Sequence, residues 1–229
     1  MESDTTHVPK PTFLRTLTCS SEYEEAAYTE YGAQRVAGID ECARGNLFGP
    51  TCAAAVILPR VPPESLQGKL RDSKLISADE RARLAEEIKA CAVAWSVTEI
   101  SSEVIDRINI AKAVEMAMYE AIHGLSVTPD FLLIDAVTID IPIRQMAIEH
   151  GDALSVSIAA ASILAKTHHS ELMVAFDTEY PGYGLAKHKG YGTREHMAAL
   201  ELLGPTPLHR RSYAPIKALC RVQNNAQMV

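Results

Sequence analysis

Val36-Ala37-Gly38-Ile39-Asp40-Glu41-Cys42-Ala43-Arg44-Gly45-Asn46-Leu47-Phe48-Gly49-Pro50 is the stretch that decides how this chain is read. The apolar run Val36 to Ile39 ends in two adjacent carboxylates, Asp40 and Glu41. Arg44 and the turn-formers Gly45, Gly49 and Pro50 follow, and a second apolar run extends from Thr51 to Leu58. The pattern predicts strand, turn, strand, with the charge concentrated in the turn. Adjacent carboxylates repel each other, and a divalent cation relieves that repulsion. Successive side chains on a regular strand face opposite ways. Sharing one ion therefore requires the backbone to leave the strand at this point, which the nearby glycines permit. A solvated acidic turn is the other reading open to the pair.

Working outward, a second strand repeats the arrangement. Pro129 precedes a continuous apolar run, Phe131-Leu132-Leu133-Ile134, which ends in a lone carboxylate, Asp135. Such a run reads as a buried central strand, and in α/β sheets ligands collect at the carboxyl edge. Two strands delivering acids to one edge favour the metal reading. A helix cap or turn is the other role open to Asp135.

Around these strands the pattern predicts a strand at 35–40, strands at 51–58 and 92–100, and a helix over 78–91 capped by Ser77. A helix beginning at Ser101-Ser102 is expected to break near Asn109 and resume to His123, with Gly124 as its stop. A long helix over about 153–176 begins with Ala159, Ala160, Ala161 and Ser162, small residues that let a helix lie close on a sheet. Ser162, Lys166 and Ser170 share one face of it, so Lys166 points at a phosphate, at the carboxylates or into solvent. Residues 181–193 read as a glycine-rich loop, followed by a helix over roughly 193–203. Upstream, residues 21–33 suit a short acidic helix with Ser21 as N-cap and Glu24 completing a capping box. There is no internal repeat and no low-complexity tract.

Composition narrows the class. The 229 residues suit one domain with appendages, and the 47% hydrophobic content supports a real core, which the 6% aromatic content makes mostly aliphatic. Cys19, Cys42, Cys52, Cys91 and Cys220 form no C-x-x-C pair, which argues against a disulfide framework or a zinc cluster and for a reducing compartment. No apolar stretch approaches the roughly 20 residues needed to span a bilayer. The acidic N-terminus lacks the apolar segment of a signal peptide. The chain thus reads as cytoplasmic, with no membrane partner. Its net charge of −7 is unevenly spread: residues 1–34 carry a net −4 and residues 185–217 a net +4. A locally basic tract on an acidic protein is the footprint of a polyanionic partner, or simply a solvated charged face.

Six ordered motifs then bring a family into view. Asp40-Glu41 with Arg44-Gly45 and Gly49-Pro50, Asp72-Ser73-Lys74, Asp135, Ile158 to Ile163 with Ala165-Lys166, His188 to Thr193, and His209 to Ser212 together resemble type 2 ribonuclease H (ribonuclease HII). The resemblance covers about residues 35–217, setting off 1–34 as an acidic appendage and 218–229 as a tail. It implies an RNase H-like three-layer α/β fold: a mixed central sheet flanked by helices, with a C-terminal helical extension. It also implies an endonuclease that cuts the RNA strand of RNA–DNA hybrids, and the chain is expected to act as a monomer. Such an enzyme also cuts 5′ of ribonucleotides embedded in duplex DNA, leaving 5′-phosphates, a task of DNA replication and repair.

By the same resemblance Asp40, Glu41 and Asp135 are the catalytic, metal-binding carboxylates. Two divalent ions can activate a water and neutralise a leaving oxygen, and oxygen ligands suit Mg²⁺ or Mn²⁺ rather than zinc. Tyr191 and the backbone of Ala43-Arg44-Gly45 are implied as readers of the 2′-OH, although Tyr191 also suits a packed loop aromatic. Lys187, Lys189, Arg194, Arg210 and Arg211 are implied phosphate contacts, and Lys74 and Lys166 approach the scissile phosphate. The sequence departs from the family pattern at Ser170, assigned here to a fourth carboxylate's position, with Glu171 turned about 100° away. It departs also at His169, where arginine is usual, and at Ala43 and Ala136, where glycine is usual. These departures imply a weakened second metal and a low or Mn²⁺-dependent rate. They also support a second reading, a protein that binds hybrids or junctions but hardly cuts. No phosphate-cradling G-x-x-x-x-G-K motif is present to support a generic phosphotransferase.

Overall fold

The apolar runs pair into one five-stranded sheet. In the computed structural model, which describes residues 19–226, the elements are α1 (Glu22–Thr29), β1 (Val36–Cys42), β2 (Thr51–Ile57), α2 (Ala78–Cys91), β3 (Ala94–Ile100), α3 (Ser102–Ile108), α4 (Ile110–His123), β4 (Phe131–Asp135), β5 (Arg144–Ile148), α5 (Gly151–Leu154), α6 (Val156–Glu179), α7 (Leu185–His188), α8 (Arg194–Leu203) and α9 (Ala214–Ala226). The strand order is β3-β2-β1-β4-β5. β1 and β4 run parallel with Ile39 opposite Ile134, and β5 runs parallel to β4. The mixed sheet flanked by helices is the α/β architecture that the resemblance implies.

The described residues divide into two compact units. The first comprises the chain up to Glu41, Ala53–Thr98 and Met118–Thr167; the second comprises Cys42–Cys52, Glu99–Ala117 and the chain from His168. In the first, Val36, Phe131, Leu133, Met146, Ile148 and Ile158 form a buried cluster with Tyr23 and Ala27 of α1. Gly38 sets the distance between β1 and α6, because a Cβ there would lie 2.1 Å from the Ser157 carbonyl carbon. Ala159, Ala160 and Ala161 are fully buried, as their small size predicts. In the second unit Leu47, Phe48, Met173, Tyr183, Leu185, Leu200 and Ile216 form a separate cluster.

Local chemistry explains most boundaries. Ser77 Oγ accepts from Glu80 N (3.2 Å) and Ser101 Oγ from Val104 N (3.3 Å), so both helices start where a cap is expected. The break at Asn109 falls at φ 71°, and its Oδ1 accepts from Ala111 N (3.0 Å) and Lys112 N (3.2 Å), which restarts the helix as α4.

Other expectations need correction. The Ser21–Glu24 capping box does not form: Ser21 makes no capping bond, and Glu24 turns inward, where it accepts from Ser155 Oγ (2.6 Å) and Ser157 N (2.9 Å). Glu24 thus caps α6 instead of its own helix. Burial raises its carboxyl above the usual range despite these bonds. Residues 19–34 lie in the first unit, where Tyr23, Ala26, Ala27 and Ala33 are buried; residues 1–18 of the expected appendage, and 227–229 of the expected tail, lie outside the described residues. The predicted helix over 153–176 is two helices. Ser155 is extended, ends α5, and accepts from Ile158 N (3.2 Å) as the cap of α6. The loop at 181–193 contains α7, and α9 runs through the expected tail boundary at 217/218. β5 has no counterpart in the sequence reading: unlike the equally short β4, it opens on the polar pair Arg144-Gln145 and shows no continuous apolar run.

Candidate active site

Parallel pairing of β1 and β4 places Asp40 and Asp135 each one residue past the matched Ile39–Ile134 pair, at the same sheet edge. One carboxylate oxygen from each of Asp40, Glu41 and Asp135 lies within 4.8 Å of the other two. The backbone does not have to leave the strand for this, contrary to the sequence expectation, since β1 continues through Cys42. Instead the Asp40 carboxylate folds back to accept from Glu41 N (2.8 Å), and the longer Glu41 side chain supplies the remaining reach.

The cluster is loaded with like charge. Asp40 is only 3% exposed. Burial and then the charge of Glu41 push its carboxyl well above the usual range, with Asp135 adding to the rise and Lys166 and Ser162 opposing it. Asp135 is also raised, by burial first and by Asp152 next among the groups that raise it, against a hydrogen bond from Gly151 N (2.6 Å). Three oxygen donors at this spacing, too charged for their surroundings, fit a hard divalent cation.

Two lysines flank the carboxylates. Asp72 Oδ1 accepts from Lys74 N (2.9 Å), forming a turn that buries Ser73 and leaves Lys74 exposed. Lys166 Nζ donates to Ser73 Oγ and to Ser162 Oγ (2.9 Å). Lys74 Nζ and Lys166 Nζ lie 3.6 and 3.7 Å from the same oxygen of Asp152. Asp152 is therefore a fourth carboxylate beside the cluster, buried, and near enough to raise Asp135. It lies outside the set of oxygens that are all within 4.8 Å. The sequence reading passes over it because, with β5 unrecognised, Gly151-Asp152 looks like an ordinary helix start. A carboxylate four residues past the end of β5 was the available signal, legible only once β5 is recognised. Ser170 lies two helical turns beyond Ser162, about 12 Å along the axis of α6.

The remaining expected site residues belong to the second unit. Ala43 has φ 65° and is buried, so it occupies a left-handed conformation that suits glycine. Ala136 in the first unit does the same at φ 56°. Arg44 and Gly45 are exposed, and Tyr191 is 50% exposed. Lys187 pairs with Glu195 (2.5 Å), Lys189 is half-buried at φ 56°, and Arg194 and Arg211 are exposed.

Arg210 does not fit the surface role expected of it. It is fully buried, and its guanidinium donates to Gly49 O (3.0 Å), Arg44 O (3.0 Å), Pro50 O (2.9 Å) and Tyr213 Oη (3.0 Å). It shapes the 44–50 loop rather than meeting phosphate. A chain of histidines braces the Tyr191 segment. His209 Nδ1 accepts from Thr206 N (2.9 Å), which leaves Nε2 to donate to His196 Nε2 (3.1 Å) and His196 Nδ1 to donate to Tyr191 O (3.0 Å). Burial lowers His209 to about 3 and lowers His196 as well, so both are neutral. Asn46 Nδ2 ties the two loops together, donating to Lys189 O (2.5 Å) and to His169 Nε2 (3.2 Å). His169 is held neutral, pushed down to about 4 by burial and then by Arg210.

A mixed sheet whose parallel strands deliver converging carboxylates, flanked by helices, places the chain among RNase H-like α/β proteins with an acidic, cation-holding site. Comparison with known proteins gives the family. A sequence model described as Ribonuclease HII matches residues 37–216. The Ribonuclease HII of Koribacter versatilis is 48% identical over 203 residues, covering 89% of this chain and 78% of its own. That of Enterococcus faecalis is 50% identical over 197 residues, covering 86% and 76%. The crystal structure of the ribonuclease H2 from Pyrococcus horikoshii OT3 has a TM-score of 0.71 at 20% identity, over 83% of this chain and 99% of that one, and speaks for the fold alone. The chain belongs to the ribonuclease HII family, and it is a ribonuclease H, an endonuclease acting on RNA–DNA hybrids. Among the described residues no helix is long and apolar enough to cross a membrane.

Proposed function

We propose that the chain cuts the RNA strand of hybrids and nicks 5′ of single ribonucleotides in duplex DNA, leaving 5′-phosphates, with two Mg²⁺ or Mn²⁺ ions held by Asp40, Glu41, Asp135 and Asp152. The observation that carries this is the convergence of Asp40, Glu41 and Asp135 oxygens within 4.8 Å, in a site that burial and mutual repulsion leave short of positive charge. When bound, the ions would activate a water and neutralise the leaving oxygen. Lys166, anchored by Ser73 and Ser162, holds Asp152 in place. Lys74, paired with Asp152 but with its side chain 71% exposed, reaches a phosphate of the substrate. Tyr191 and the Ala43-Arg44-Gly45 backbone read the 2′-OH, and Lys187, Lys189, Arg194 and Arg211 contact phosphates along the duplex. The enzyme works as a monomer in a reducing, cytoplasmic compartment, which its five free cysteines fit.

Asp152 beside Asp135 supports taking it, rather than position 170, as the fourth carboxylate, and weighs against the reading of a protein that binds without cutting. The test is a DNA duplex carrying one ribonucleotide, incubated with Mg²⁺ or with Mn²⁺. A nick 5′ of the ribonucleotide in wild type, lost in Asp152→Asn and unchanged in Ser170→Asp, is expected. Intact but retarded duplex in wild type, or a large gain of cleavage in Ser170→Asp, would overturn it.

A further inference from the structure

We propose that Cys52, Glu99 and His168 form a second cation site, chemically distinct from the carboxylate cluster and suited to Zn²⁺. The Cys52 sulfur, a Glu99 carboxylate oxygen and a His168 ring nitrogen lie within 4.8 Å of one another. All three belong to the second unit, contributed by β2, the adjacent strand β3 in the order β3-β2-β1, and α6.

Geometry favours an ion over a simple ion pair. His168 Nε2 and Glu99 Oε2 are 3.5 Å apart, too far for a good hydrogen bond. Bonds of about 2.0–2.3 Å in a tetrahedral site place neighbouring donors roughly 3.3–3.8 Å apart, so this pair is already spaced for one metal. Cys52 is fully buried, while the His168 and Glu99 side chains are 37% and 49% exposed. The site is thus closed by the sulfur below and open to solvent above. Three protein donors with an open position match the zinc arrangement in which water or a further ligand takes the fourth place.

Donor chemistry separates the two sites. Sulfur and imidazole select borderline or soft ions such as Zn²⁺, whereas all-oxygen sets suit Mg²⁺ and Mn²⁺. Each site can therefore fill in the presence of the other's metal. The three residues are far apart in sequence and match no C-x-x-C or H-x-x-x-H spacing, which is why cysteine spacing alone argues against zinc.

The test uses the metal-free full-length chain, titrated with Zn²⁺ in excess Mg²⁺, and separately with Co²⁺ as a spectroscopic probe. Wild type should take up one equivalent of Zn²⁺, and its Co²⁺ form should show a thiolate-to-metal charge-transfer band. Cys52→Ala and His168→Gln should each weaken Zn²⁺ binding by at least about tenfold, with the band lost in Cys52→Ala. Asp40→Asn should retain both. Circular dichroism and melting establish that each variant is folded, and His168→Gln, at a half-exposed position, serves if Cys52→Ala is not. No Zn²⁺ uptake by wild type in excess Mg²⁺, or wild-type uptake by folded Cys52→Ala or His168→Gln, overturns the proposal. Neither result bears on nuclease activity.

Discussion

In the first unit Asp40 is buried against Glu41 and Asp135, and its carboxyl is driven upward by burial and by their charge. In the second unit Arg210 is buried even more completely, yet it meets three carbonyls and the Tyr213 hydroxyl. Both groups are buried charges, but only the arginine has its hydrogen-bonding needs met by the chain itself. The contrast separates two uses of an expensive residue. A satisfied buried charge fixes backbone, here the 44–50 loop. A cluster of under-compensated carboxylates keeps electrostatic demand in reserve for a cation.

The histidines extend the contrast. His209, His196 and His169 are buried and neutral, and their fixed tautomers brace the loops that carry Tyr191 and Asn46. They act as hydrogen-bond spacers rather than as acids or bases. These buried histidines of the second unit hold shape, whereas the Asp40 cluster of the first holds charge.

Substitutions can break this distinction, and the largest effect falls on the carboxylates. Asp40→Asn or Asp135→Asn should lower cleavage of a hybrid by on the order of 10³-fold, measured as initial rates, while leaving the fold intact by circular dichroism. Arg210→Ala should do the reverse. Losing four hydrogen bonds, two of them fully buried, and their packing should destabilise the protein by about 3–5 kcal/mol, read from urea unfolding. Gly38→Ala should cost at least about 1–3 kcal/mol, because the new methyl meets α6 backbone that cannot turn aside; unchanged stability would refute the close approach.

The pH dependence sharpens the comparison. His169 and His209 titrate at about 4 and about 3 in the fold, against an ordinary value of about 6.5. Between those values the unfolded chain binds protons that the folded chain does not. Their contribution to stability is therefore complete above about pH 6.5 and falls as pH drops towards 4 and 3, by up to about 1.4 kcal/mol per pH unit for each group. Unfolding midpoints across that window measure it, and His209→Gln should flatten the dependence. The smallest effect expected is at Ala43. Ala43→Gly relieves a left-handed alanine at φ 65° and should stabilise by roughly 0.5–1 kcal/mol, visible as a small rise in melting temperature.

Much of this was legible in the chain. Apolar runs ending in Asp40-Glu41 and Asp135 specified two buried strands with acids at one edge, because a strand's burial and its end are local properties of composition. Caps at Ser77 and the break at Asn109 were likewise local. What lay beyond sequence were partnerships across distance. Glu24 had a capping box within its own helix and took the one on α6 instead. Asp152 came to lie beside the acidic cluster because β5, whose polar start hides it in the sequence, returns the chain beside β4. Arg210 looked like a phosphate ligand in a basic tract, and only the fold shows that carbonyls surround it. Charge, pattern and caps are written residue by residue, so the sequence by itself determined four of the five strands, the acidic edge of the sheet and the family. Which charge ends up compensated by which partner depends on burial and on distances between remote segments, and that was decided only by the tertiary structure.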